Sequence, residues 1–167
     1  VAVIDTREQP PRVAELRDRY PEIHLHTGGF DDALIARAAE VVISPGLDPR
    51  HPAIREAKRR GQPVIGEIEL FARSVNAPVM AITGSNGKST VTRMLAAMAH
   101  AAGVDAVAGG NLGPPALTLL ENRPDAEVFI LELSSFQLES TVSLRPQVAT
   151  VLNLSPDHLD RYDGMTD

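Results

Sequence analysis

The stretch 81–94, AITGSNGKSTVTRM, constrains the fold of this chain more than any other. An apolar run passes through a glycine turn into a lysine, two hydroxyl residues and a helical pattern. Val91, Met94, Leu95 and Met98 recur at i, i+3, i+4 and i+7, the spacing of one helix face. A strand, a turn of bare backbone and a helix start in that order make an anion nest. The turn's N–H groups and the unsatisfied N–H groups of the first helical turn favour phosphate. Gly84 and Gly87 let the backbone approach, Lys88 reaches outer phosphates, and Ser89 or Thr90 can ligate magnesium. Of 16 basic residues only Lys58 and Lys88 are lysine, so a lysine here is not a product of composition. The spacing departs from the standard phosphate loop, which has four residues between its glycines; here only Ser85 and Asn86 intervene. The plainer alternative is a glycine turn capped by Ser85 or Asn86.

The rest of the chain supplies matching surroundings. Short apolar runs at 1–5, 22–26, 40–44, 63–66, 78–83, 105–108, 127–133 and 147–153 alternate with helical patterns at 11–20, 31–39, 52–60 and 88–102. Such alternation predicts an α/β fold, parallel sheets wrapped by helices. A boundary in 66–77, GEIELFARSVNA, divides it into a small Rossmann-like unit over 1–67 and the opening of a phosphate-loop unit over 68–167. The KRRG ending of the 52–60 helix is dipole chemistry rather than a binding patch.

Composition narrows the classes. The chain has 167 residues, 43% of them apolar, which is enough for a proper core. A net charge of -6 argues against a nucleic-acid surface. The absence of cysteine excludes disulfides and cysteine-ligated zinc. No window offers the roughly 20 apolar residues of a membrane span, and Asp5, Arg7 and Glu8 interrupt any leader-like run. A cytoplasmic protein without nucleic-acid or membrane partners, and a monomer, is expected.

Further chemistry sits at other strand ends. Glu132, in EVFILELSSFQLE, is a carboxylate in an apolar strand, costly unless it is paired or lies at the open carboxyl end. Ligands of open α/β sheets lie just beyond those ends, so Glu132 is suited to complete a magnesium site beside the phosphate loop. NLSPDHLDRY, 153–162, follows another strand; His158 is a metal ligand, a proton carrier or an ordinary polar residue, and Ser155 and Asp157 are candidate caps. GGNLGPPAL, 109–117, offers Gly109, Gly110 and the Asn111 amide. Asp5, Thr6 and Arg7 end the first strand, either as a nucleotide dock or as a turn before Pro10 and Pro11.

Together GSNGKST, GGNLGPPAL, LELSSFQLE and NLSPDHLDRY resemble the Mur ligases, and VIDTREQPP, ISPG and IGEIELF resemble that family's first domain. The shortened phosphate loop is the family's own form. The resemblance implies a Rossmann-like first domain, a central ATP-binding domain, and an ATP- and magnesium-dependent ligation. A carboxylate of UDP-N-acetylmuramoyl-L-alanine would be phosphorylated and the acyl phosphate attacked by the amine of glutamate. Carried over by position, Gly84, Ser85, Asn86, Gly87, Lys88, Ser89 and Thr90 would hold the ATP phosphates, with Lys88 stabilising the transferring group. Ser89 and Glu132 would hold one magnesium and His158 a second, catalytic one. Asn111, Ser134 and Gln137 would meet the sugar nucleotide near its reacting end, and Asp5, Thr6 and Arg7 its uridine.

The resemblance also implies a fragment. The family has a strand and glycine loop before the position of Val1, a carbamylated lysine after that of Asp167, and a third domain. These 167 residues by themselves are expected not to catalyse ligation. A neighbouring amide ligase using another amino acid or folate remains the nearest alternative. A nucleotide switch is the more distant one, and the Asn-Lys-x-Asp motif that would favour it is absent.

Overall fold

The computed structural model describes residues 1–156. It is an α/β fold of two compact units, one formed by Val1–Val41 with Pro49–Val64, the other by Val42–Asp48 with the chain from Ile65 on.

In the first unit β1 (Ala2–Asp5) and β2 (His24–Thr27) pair in parallel, with Asp5 opposite Thr27. Three helices accompany them: α1 (Val13–Arg19), α2 (Asp32–Arg37) and α3 (Pro52–Arg59). Ile35, Ala53 and Ala57 form a small core with Ile4, Phe30, Val41 and Val64. Helix α1 starts later than the prolines suggest. Arg12, at φ 65, turns the chain through the left-handed region and pairs both guanidinium branches with Glu15, each at 2.7 Å. Strands β3 (Val41–Val42) and β4 (Val64–Ile65) are only two residues each.

The second unit is built on four parallel strands in the order β6–β7–β5–β8, where β5 is Val79–Thr83, β6 Ala106–Gly110, β7 Val128–Glu132 and β8 Val148–Val151. The two-residue period of a strand sorts its side chains between two cores. Val79 and Ala81, Phe129 and Leu131, and Val107 face α4 (Glu67–Ser74) and α6 (Ala116–Asn122). Ile82, Val128, Ile130 and Ala106 face the opposite way, against Val91, Leu95 and Ala99 of α5 (Lys88–Ala101). A four-residue helix, α7 (Ser135–Leu138), follows β7.

Helix α4 occupies the stretch that the sequence reading treated as a boundary. Charged residues at 67, 69 and 73 obscure its apolar stripe, but Ile68 and Phe71 are buried, and Phe71 meets Phe129 edge-on at 5.3 Å. The charges are structural. Pro115 gives α6 no side-chain cap, and Glu67 Oε1 instead accepts the Leu117 N–H at 2.5 Å. Glu69, 2% exposed, accepts from the N–H groups of Val142 and Ser143 at 2.7 and 2.8 Å and from Arg73 at 3.0 Å. It thereby fixes the approach to β8.

Burial alone would raise the pKa of Glu69. The N–H groups of Ser143 and Val142, the Ser143 hydroxyl and Arg73 overcome that and hold it down at about 2. With the folded value below the ordinary 4.5, this carboxylate stabilises the fold at pH above 4.5. That contribution drains away as pH falls from 4.5 towards 2. Glu69→Gln is expected to cost about 2 kcal/mol at pH 7 and to flatten the acid limb of the stability curve, measured by urea unfolding between pH 3 and 7.

Candidate functional site

All four strands of the larger sheet run the same way, so their carboxyl ends share one edge. The register sets Glu132 opposite both Ile82 and Gly110, and Thr83 opposite Val151. The loops that follow these strands carry the candidate chemistry.

Glu132 is the centre. Strand period places it on the same face as Val128 and Ile130, the face that α5 covers. It is 2% exposed, and each carboxylate oxygen has a neutral donor. Ser89 Oγ donates to Oε2 at 2.7 Å and Asn111 Nδ2 donates to Oε1 at 2.8 Å. Ser89 comes from the first turn of α5 and Asn111 from the residue after β6, so one carboxylate draws three elements together. Backbone contacts reinforce this: Asn111 N–H donates to the Glu132 carbonyl at 2.9 Å. Gly110, at φ 89, has no room for a side chain, because a Cβ would fall onto that same carbonyl.

The phosphate-loop candidate lies beside it. Gly87 caps α5 without a side-chain bond. Among the described residues no acceptor meets the N–H groups of Gly87, Lys88, Ser89 and Thr90; the first intrahelical bond is Val91 N–H to the Gly87 carbonyl, at 3.0 Å. Lys88 Nζ donates to the Gly84 and Ser85 carbonyls at 2.7 and 3.1 Å. Two of its three ammonium protons are thus occupied and one remains for an anion.

The other half of the loop is bonded to the chain after β8. Ser85 N–H donates to the Asn153 carbonyl at 3.0 Å. Asn153 Oδ1 accepts the Asn86 N–H and Asn153 Nδ2 donates to the Asn86 carbonyl, both at 2.9 Å. The Ser85 hydroxyl accepts from Ser155 N–H at 2.9 Å and donates to the Ser155 carbonyl at 3.2 Å. Sequence reasoning missed Asn153 as an individual, although it had marked the stretch that contains it. An asparagine directly after an apolar strand was the available signal.

Ser134 and Gln137 close a capping box at the start of α7. Ser134 N–H and Oγ donate to Gln137 Oε1 at 3.0 and 3.2 Å, and Gln137 N–H donates to Ser134 Oγ at 3.2 Å. The Ser134 hydroxyl and the Gln137 side-chain oxygen are thus engaged locally. His158 and Asp157 lie outside the described residues.

In the first unit a cavity of about 350 Å³ opens beside α1, walled by Val3, Leu25, Leu16 and Tyr20, with Asp5, Arg12 and Glu15 among its polar lining. Asp5 lines it; Thr6 and Arg7 do not. Arg7 holds Asp5 in a closed pair, at 2.9 and 2.6 Å from its side chain and 2.9 Å from its N–H. The Arg7 side chain first, then its N–H, keeps the Asp5 carboxyl at about 2, so it is ionised through the neutral range.

A hydroxyl and a carboxylate as oxygen ligands, next to four N–H groups without an acceptor among the described residues and an ammonium, suit a triphosphate with a hard divalent cation. The hydroxyl of Ser89 and the carboxylate of Glu132 already meet at one point, which fits magnesium.

Two family models match this chain: the Mur ligase MurD-like N-terminal domain over residues 1–66 and the Mur ligase middle domain over residues 82–167. The chain belongs to the Mur ligase family. Curated Mur ligase relatives include the UDP-N-acetylmuramoylalanine–D-glutamate ligases of Nitrosococcus oceani, 58% identical over 165 residues, and of Pseudomonas aeruginosa, 52% over 166. That of Vibrio campbellii is 54% identical over 168 residues. These alignments cover 99%, 99% and 100% of this chain but only 36%, 37% and 37% of the relatives. A solved Mur ligase, the UDP-N-acetylmuramate:L-alanyl-gamma-D-glutamyl-meso-diaminopimelate ligase from Neisseria meningitides, shares the fold at a TM-score of 0.55. It is 21% identical, with 99% of this chain and 56% of that one covered.

Gly110→Ala tests the Glu132 junction directly. It is expected to cost about 2–4 kcal/mol by forcing β6 away from β7, read as a lower melting temperature of the full-length protein.

Proposed function

We propose that this chain is the nucleotide-binding part of a ligase that adds D-glutamate to UDP-N-acetylmuramoyl-L-alanine at the expense of ATP, in the cytoplasm and as a monomer. The observation that carries the reading is Glu132, buried and bonded to Ser89 and Asn111, beside a helix start where the N–H groups of Gly87 to Thr90 have no acceptor among the described residues. Identity of 52–58% to curated ligases of that name supports the choice of substrates.

Residues 1–67 would bind the uridine end, with Asp5, Thr6 and Arg7 at the strand end, and residues 68–167 would bind ATP. In the second domain Gly87 to Thr90 would donate N–H groups to the phosphates. Lys88 would neutralise charge on the transferring phosphoryl group, leaving the loop carbonyls it now touches. Ser89 and Glu132 would hold magnesium, which supplies charge neutralisation between phosphate oxygens. His158 would serve a second metal. Asn111, bonded to Glu132, would mark where the sugar nucleotide's carboxylate meets the triphosphate, with Ser134 and Gln137 further along the same edge. Phosphoryl transfer to that carboxylate gives an acyl phosphate and ADP; attack by the glutamate amine then releases phosphate. Positioning and charge neutralisation, rather than proton transfer, dominate the first step.

The reading is tested with the full-length protein by phosphate release dependent on UDP-N-acetylmuramoyl-L-alanine and D-glutamate. Preference for another amino acid, or for a folate, would refute it. Lys88→Met is expected to lower kcat at least about a hundredfold while leaving the melting temperature within about 2 °C. Glu132→Gln keeps the shape and an acceptor for Asn111 but removes the charge. The magnesium concentration for half-maximal activity is expected to rise about tenfold, a loss of about 1.4 kcal/mol in metal binding.

A further inference from the structure

We propose that Asn153 is a positioning residue for the phosphate loop: it spends the N–H groups of Ser85 and Asn86 on the strand β8 side and so leaves those of Gly87 to Thr90 as the anion donors. The inference rests on the triphosphate reading above and adds to it a residue and a division of labour within the loop.

The bonding is specific. A carboxamide offers one acceptor and one donor edge, and the Asn86 peptide offers the complementary pair. Asn153 takes both at 2.9 Å, across 67 positions of sequence. Only this orientation of the carboxamide satisfies both groups, so the side chain fixes the plane of the Asn86 peptide as a neighbouring strand would. The main chain of Asn153 adds a third contact, accepting from Ser85 N–H at 3.0 Å. Gly84 permits this closeness: a Cβ there would lie 3.1 Å from the Asn153 nitrogen and oxygen, and its φ of 137 disfavours a side chain in any case.

The consequence is chemical. A free loop of this length could turn any of its N–H groups towards an anion. Here those of residues 85 and 86 are already paired, while those of residues 87–90 have no acceptor among the described residues. The geometry of the nest is therefore set before the anion arrives. Pre-organised donors spare the ligand the cost of ordering them. An anion in the nest would in turn bear on residues 153–155 through the same bonds.

Two measurements on the full-length protein test this. In Asn153→Ala, the Kd and KM for MgATP should rise about tenfold, while the KM for UDP-N-acetylmuramoyl-L-alanine stays within about twofold. Unchanged ATP affinity in a folded variant, or an equal loss for both substrates, overturns the proposal. Residue-resolved amide exchange of the wild type supplies the second arm and does not depend on the variant folding. Without nucleotide, Ser85 and Asn86 should be protected and Gly87 to Thr90 should exchange quickly. Adding MgATP should slow only the latter group. Free exchange at Asn86 before nucleotide is added overturns the proposal. Failure of the wild type to bind MgATP at all would instead sink the nucleotide reading, with protection at Asn86 still judging the clamp.

Discussion

A carboxylate cannot be buried cheaply, and the architecture of the larger unit follows from how Glu132 is satisfied. Each oxygen receives one neutral donor, the Ser89 hydroxyl or the Asn111 amide, at 2.7 and 2.8 Å. Neutral donors meet the requirement for hydrogen bonds without cancelling the charge. Had a lysine or arginine closed on Glu132, the pair would be harder to open and the site would be electrically inert towards a cation. Lys88, one residue from Ser89, bonds instead to the carbonyls of its own loop. The two charges of the site are thus each held by groups that a ligand can replace. Magnesium takes oxygen ligands and retains several waters, so two protein oxygens at one point are an adequate protein contribution.

The opposite face of the sheet serves the same edge by other means. Glu67 and Glu69 lie on α4, and both accept backbone N–H groups far along the chain, at Leu117 and at Val142 and Ser143. The first starts α6 where Pro115 provides no cap; the second sets the chain on its path into β8. Both bonds therefore act on the segments that carry the strand-end loops, α6 just after Asn111 and β8 just before Asn153. Rigid α/β scaffolds fix loops through their flanking elements. Here the buried Glu69 and the half-buried Glu67 do part of that work from beneath.

Much of this was legible in the sequence. The strand–turn–helix at 81–94 requires a parallel sheet, and counting in twos from Val128 and Ile130 places Glu132 on the α5 side. What stayed hidden has identifiable causes. Helix α4 reads as a polar linker because Glu67, Glu69 and Arg73 interrupt its apolar pattern; only the fold reveals that two of those charges face backbone donors. Ser134 and Gln137 were expected to meet substrate, yet the structure adds a local reason for both residues, the capping box of α7. The start of α1 was expected at the prolines and comes instead after Arg12, because a pairing with Glu15 supports a left-handed turn that propensity alone would not suggest.

The shortened glycine loop raises a last point about cost. With four residues between its glycines, a loop has enough chain to surround a phosphate with its own N–H groups. With only Ser85 and Asn86 between Gly84 and Gly87, this loop has fewer donors and less length with which to stabilise its own shape. Two of those donors point away from the helix start and would be left unpaired unless another element met them. Asn153, two residues after strand β8, meets that need through its main-chain carbonyl and its side chain, and Ser155 adds bonds to the Ser85 hydroxyl. A short loop braced from outside is thereby as fixed as a longer one closed on itself. It also ties the proposed phosphate nest to the β8 side, so the loop and residues 153–155 share one mechanical support.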